Sequence, residues 1–223
     1  MRSSNTLRRL ALILAVAALA LYVVLGIRVD GRGPLPIDQL GFAIRGESLG
    51  VAWFLTQLGL WPSLVAFAAG ALLIAVRKRF PVAPVIALFA SETISQGVLA
   101  YGKHAFNRAR PLEYFGPHLH DLSYASGHAA TSVMFYGGLA ILANRAVPRT
   151  LTRALLSGAL VLLALGIMWS RLALGAHYLS DVCGGAAFGA GWLALSLVAW
   201  PSIDSMITRL RERRYESRRI SAG

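Results

Sequence analysis

Three short stretches of this chain carry the residue types that phosphoryl transfer needs. Lys103 to Pro111 reads K-x6-R-P. Ser126-Gly127-His128 follows, and Ser170-Arg171 through His177 to Asp181 reads S-R-x5-H-x3-D. Together they hold three fixed cations, two histidines and a carboxylate. Cations offset charge on the equatorial oxygens of a phosphoryl group in flight. A histidine can attack phosphorus or hand a proton to the departing oxygen.

His177 and Asp181 stand four apart, at the start of an expected helix, where i and i+4 share a face. Asp181 is therefore expected to hold the His177 ring, fix its tautomer and stabilise positive charge on it. Arg171, six residues earlier, shares the same short loop, and Lys103 and Arg110 sit at the end of another helix. Arginine offers a fork of donors and lysine a point charge. Only two lysines stand against twenty arginines, so Lys103 is not a local habit of composition. Ser126 is read as the N-cap of a helix whose free N–H groups favour an anion. Gly127 leaves the approach open, and His128 is placed to act as general acid.

A membrane must position these residues. The chain of 223 residues is 56% hydrophobic and 14% charged, with a mean hydropathy of +0.59. A span takes ~20 largely apolar residues, and such runs fall near 10–27, 60–76, 82–101, 128–143, 154–170 and 178–200. The expected fold is all-α, a polytopic bundle of about six transmembrane helices, with one membrane domain over 1–223 and a basic tail over 202–223. The first run, after Arg8-Arg9, is long for a signal peptide and is read as a retained anchor. The segment 31–59 is read as an outer loop leading into an interfacial or re-entrant helix. Gly184, Gly185, Gly189 and Gly191 are read as sites of close helix approach.

Fifteen of the 22 Lys and Arg fall on one side of this layout, including Arg77, Lys78, Arg79, Arg145, Arg149, Arg153 and six arginines of the tail. The positive-inside rule makes that side cytoplasmic, with both termini. All three motifs and all five histidines (His104, His118, His120, His128, His177) then face outward. The net charge of +12 lies in short loops and the tail, where it orients helices and meets anionic lipid head groups. Nucleic acid is not an expected partner. The single cysteine, Cys183, excludes an intramolecular disulfide and a Cys-based metal site, and is read as buried packing.

The three stretches resemble the signature of the type 2 phosphatidic acid phosphatase (PAP2) superfamily, whose site is shared with the vanadium haloperoxidases. The first and third motifs are complete. The second is usually P-S-G-H, and here Ala125 stands in place of the proline. The resemblance implies a PAP2/haloperoxidase-like core and a phospho-histidine intermediate. It makes His177 the nucleophile, Asp181 its partner and His128 the acid. Lys103, Arg110, Ser126, Gly127 and Arg171 would bind phosphate. It implies no metal and no cofactor.

The expected function is hydrolysis of a membrane lipid phosphate or pyrophosphate, of the undecaprenyl pyrophosphate, phosphatidic acid or phosphatidylglycerophosphate type, on the extracytoplasmic face. Two alternatives stay open: a lipid phosphotransferase, and a non-enzymatic lipid binder or scramblase on the same scaffold. Outside the motifs, Glu92 lies mid-span, with Gln96 on the same helix face as Lys103. These two form either a buried hydrogen-bond node or a polar stripe running in from the site.

Overall fold

The computed structural model describes residues 2–117, 121–147 and 149–220, with side chains described for 5–117, 121–147 and 149–199. His118, His120 and the side chains of the basic tail lie outside the described residues. The described elements are helical: α1 (Arg2–Val29), α2 (Asp38–Phe42), α3 (Leu49–Leu58), α4 (Trp61–Arg77), α5 (Ala83–Phe106), α6 (Gly127–Thr131), a π-helical turn (Ser132–Tyr136), α7 (Gly137–Ala146), α8 (Thr150–Ala173) and α9 (Leu179–Ile220).

Local signals set the boundaries. Pro62 and Pro84 sit in the first turns of α4 and α5, where an amide N–H has no intrahelical partner to lose. Ser126 caps α6 by accepting the Ala129 N–H at 3.4 Å. α5 ends on Asn107 in the left-handed region. Gly175 (φ +69) makes the turn from α8 toward α9, and any Cβ there would strike the Glu113 carbonyl oxygen.

Four described helices are long and apolar enough to cross a membrane: Asn5–Val29, Ala83–Phe106, Thr150–Ala173 and Leu179–Ala199. α3 and α4, bent by 56°, make a fifth when counted as one span. The stretch 127–146 is helical throughout but divided by the π turn. The expected runs thus recur with shifted ends, and the segment 31–59 resolves into α2 and α3. Leu, Ile and Val side chains such as Ile13, Val16, Leu155 and Leu162 are exposed on α1 and α8. Such an exterior suits hydrocarbon, where apolar surface carries no penalty.

The interior is a layer of aromatic and aliphatic side chains. Met134, Phe135 and Tyr136 from the π turn meet Leu64, Ile167 and Leu193. Nearer the motifs, Tyr22, Leu99, Tyr124, Ala125 and Phe188 form a second cluster. Glu92 is fully buried and receives bonds from Thr131 (2.6 Å), Gln96 (3.0 Å) and Ser95 (3.3 Å). It is a hydrogen-bond node between α5 and α6. Cys183 is half-buried rather than buried, because α9 turns it partly away from the core.

α9 is the central helix of the packing and its glycines allow this. A Cβ on Gly184 would overlap the Tyr124 ring, one on Gly185 the Ser126 carbonyl oxygen, one on Gly189 the Ala130 carbonyl oxygen and one on Gly191 the Leu19 side chain. Backbone cannot yield as a flexible side chain does, so Gly189→Ala is expected to destabilise the fold by ~1–3 kcal/mol. Gly158, with nothing near its would-be Cβ, tolerates alanine. Unfolding midpoints of the two variants in detergent check this, and equal midpoints would contradict it.

Candidate active site

The ends of α5, α6, α8 and α9 meet at one end of the bundle, and the described residues 107–117 and 121–126 are stitched across them. Ser123 N–H donates to the Arg108 carbonyl (2.8 Å), Ser126 N–H to the Asp181 carbonyl (3.1 Å) and Phe115 N–H to the Leu174 carbonyl (2.9 Å). This brings Lys103, Arg110, Ser126, Gly127, His128, Arg171, His177 and Asp181 into one cluster.

His177 lies in the turn before α9, buried to 3% exposure. Its Nε2 stands 3.0 Å from Arg110 Nη1. A guanidinium only donates, so Nε2 accepts and the proton of the neutral ring sits on Nδ1. Nδ1 faces Ser123 Oγ at 3.4 Å and Asp181 Oδ2 at 3.6 Å. The expected pairing of His177 with Asp181 is therefore present as a contact slightly longer than a hydrogen bond. α9 begins at Leu179, so His177 precedes the helix. Asp181 Oδ2 accepts hydrogen bonds from Ser123 Oγ (2.5 Å) and Tyr178 N–H (2.9 Å). Ser123 bridges the histidine and the carboxylate.

Asp181 Oδ1 belongs to a second, buried network. Arg108, with no exposed surface, donates Nη1 to Asp181 (2.5 Å) and to Ser180 Oγ (2.7 Å), and Nη2 to Asp38 (2.9 Å). Asp38 also accepts from Ser180 N–H at 2.8 Å, at the positive end of α9. Tyr178 lies under the guanidinium, 4.1 Å from its ring centre.

Lys103 and Arg110 share one carboxylate. Lys103 Nζ is 2.6 Å and Arg110 Nη2 is 2.7 Å from Asp121. Burial raises the Asp121 carboxyl pKa, but the hydrogen bond and charge of Lys103, with Arg110, prevail and hold it at about 2. One ionised carboxylate thus offsets one of the two positive charges at ordinary pH.

His128 and Arg171 meet through Thr56 of α3. The Thr56 backbone hydrogen-bonds the His128 ring, and its hydroxyl accepts from Arg171 Nη1. His128 Nε2 and Arg171 Nε are both buried without a hydrogen-bond partner. Buried polar atoms of this kind cost free energy unless something pairs with them. Among the described residues, no three His, Cys, Asp or Glu side chains are grouped to hold a metal.

Reasoning from sequence missed Arg108, Ser123, Asp121, Asp38 and Thr56. Arg108 carried a signal, as one of only seven cations on the motif side. Ser123, Asp121 and Thr56 carried none, because they lie in or beyond loops whose path the sequence does not reveal.

Two predictions come from this geometry. Arg108→Met strands Asp38 and Asp181 as buried, unpaired carboxylates and should cost ~3–5 kcal/mol. Lysine, a point charge, should recover less than half of that loss. Denaturant titration of the three proteins reads it, and a methionine variant as stable as the parent would refute it. For His177, burial and then the charges of Arg110, Arg171 and Lys103 push the pKa well below its ordinary value. The fold then binds fewer protons than the unfolded chain on the acid side. The neutral ring's stabilisation is present above pH ~6.5 and is lost as pH falls below it. The drop in unfolding midpoint between pH 7.5 and 5 should be smaller in His177→Asn, and identical drops would contradict this.

The family model described as PAP2 superfamily matches residues 80–203. A similar solved structure is that of the first transmembrane PAP2 type phosphatidylglycerolphosphate phosphatase from Bacillus subtilis. It aligns at 20% identity over 86% of this chain and 96% of that one, with a TM-score of 0.68. The curated proteins contain no match to this chain. With more than half its length matched, the chain belongs to the PAP2 superfamily and is a membrane phosphatase of that type.

Proposed function

We propose that this PAP2 superfamily member removes a phosphate or pyrophosphate group from a membrane lipid through a phospho-histidine on His177. The observation that carries this is the His177 ring, with Nε2 facing the Arg110 guanidinium and Nδ1 turned to Ser123 and Asp181. His177 Nε2 attacks phosphorus as the bond to the leaving oxygen breaks. That oxygen, on a lipid alcohol or a lipid monophosphate, takes a proton from Nε2 of the cationic His128 ring, which becomes neutral. Positive charge left on His177 is stabilised by Asp181 through the Ser123 hydroxyl. Water then attacks the phospho-histidine and gives a proton to His128. Inorganic phosphate leaves and both histidines are restored.

The cations serve the phosphoryl oxygens. Arg110 is already within reach of the attacking nitrogen. Arg171 Nε would give its unused proton to a phosphoryl oxygen, and Lys103 is held beside Arg110 by Asp121. Ser126 and Gly127 open α6, whose first N–H groups carry partial positive charge. Each of these roles stands for the family's signature residue at the same position in this chain.

The substrate class proposed is the undecaprenyl pyrophosphate, phosphatidic acid or phosphatidylglycerophosphate type. A site at the helix ends lets the lipid tail stay in hydrocarbon while its head group meets the cations. We place the site on the extracytoplasmic face of the cell membrane. The support is charge, since the opposite end of the bundle carries Arg77, Lys78, Arg79, Arg145, Arg149 and Arg153.

The test is phosphate release by detergent-purified protein in EDTA, across these three lipids. Release is expected to persist in EDTA and to fall below detection in folded His177→Ala. Release abolished by EDTA and restored by divalent metal, or undiminished in the variant, would overturn the mechanism.

A further inference from the structure

At the end of the bundle away from the motifs, a cavity of about 700 Å³ opens between α4, α5, α7 and α8. Gly70, Ala71, Phe80, Leu142 and Leu160 line it, and Arg145 is the only charged residue in its wall. Arg145 follows His128 by seventeen positions in the helical stretch, about 25 Å at 1.5 Å per residue. A group held at Arg145 is thus out of reach of His177.

Gly70 leaves room in the cavity wall. It lies inside α4, and a Cβ built on it meets nothing within 4 Å. Glycine inside a helix is destabilising relative to alanine. Gly97 and Gly158 are equally open outside the cavity, so Gly70 contributes space and charge identifies the occupant.

Charge says what the occupant is. The loops flanking the mouth carry Arg77, Lys78, Arg79, Arg149 and Arg153 besides Arg145. No Asp or Glu occurs between Glu47 and Glu92, or between Asp121 and Asp181. Among the described residues none of these six cations is in an ion pair. The chain's own tail has six arginines against Asp204, Glu212 and Glu216, and a second copy would present the same basic end. Both are repelled. An amphiphile with an apolar chain and an anionic head is attracted on both counts.

We infer that this cavity is a binding site for an anionic phospholipid, with an acyl chain against Gly70 and Leu160 and its head-group phosphate at Arg145. The site is separate from the phosphatase centre.

Native mass spectrometry of the full chain, with phosphatidylserine or phosphatidylcholine added at equal concentration, tests it. Phosphatidylserine is a diester with no terminal phosphate to remove. One phosphatidylserine is expected to stay bound under activation that strips phosphatidylcholine. Gly70→Phe, which fills the open space, and Arg145→Gln, at an exposed position, should each weaken retention about tenfold, the weight of one charge-assisted contact. Lys103→Ala, in the phosphatase centre, should leave retention unchanged. Should Gly70→Phe fail to fold, Gly70→Leu and Arg145→Gln still decide. Equal retention of the two lipids would overturn the inference. So would retention insensitive to Arg145→Gln, or retention lost in Lys103→Ala but kept in the cavity variants.

Discussion

One guanidinium sets the geometry of the site end. Arg108 is fully buried between Asp38 and Asp181 and reaches them with different nitrogens. Its fork therefore fixes the spacing between the 31–48 segment, the loop after α5 and the first turn of α9. Desolvating three charges costs several kcal/mol per ion, and their mutual attraction repays it only with good geometry. Ser180, Tyr178 and the α9 N-terminus supply the remaining contacts. The same contact occupies Asp181 Oδ1 and leaves Oδ2 to face His177 and Ser123.

Around this anchor the protein crowds positive charge near a histidine that has to stay neutral. Burial favours the uncharged ring, and Arg110, Arg171 and Lys103 push the same way. The like charges of Lys103 and Arg110 would repel one another if left bare. Asp121 bridges them and remains ionised under ordinary conditions. Arg171 and His128 are steadied differently, through the neutral Thr56, which leaves one nitrogen on each without a partner. The result is a set of donors held in place by the fold itself, the condition under which electrostatic stabilisation of developing charge is strongest.

The packing behind the site follows from lipid as solvent. Apolar surface is not driven inward by hydrocarbon, so close backbone approach has to supply the contacts. The glycines of α9 let the backbone at Ser126 and Ala130 sit against it, which places α6 and its cap beside Asp181. Glu92 fixes the other side of that helix by accepting from Thr131. Polar atoms inside the bundle are thus spent on location, and its exterior is left to Leu, Ile and Val.

The sequence alone determined a good deal. Apolar run lengths placed the helices, because hydrocarbon thickness sets a length. Residue types and spacing marked the motif residues, because the chemistry needs those groups. The Ser126 cap was legible because capping is local. What only the tertiary structure decided is how the groups meet. The i,i+4 spacing put Asp181 beside His177, where it stands at 3.6 Å, but the bridging role of Ser123, 54 positions from His177, came only from the fold. The partner of Glu92 could not be read from spacing, because Thr131 lies 39 positions away. Arg108, Ser123, Asp121, Asp38 and Thr56 act through partners far along the chain, or through loops whose path no periodicity encodes. Local physics is written in local sequence, whereas contacts between distant segments arise only when helix packing has fixed which ends meet.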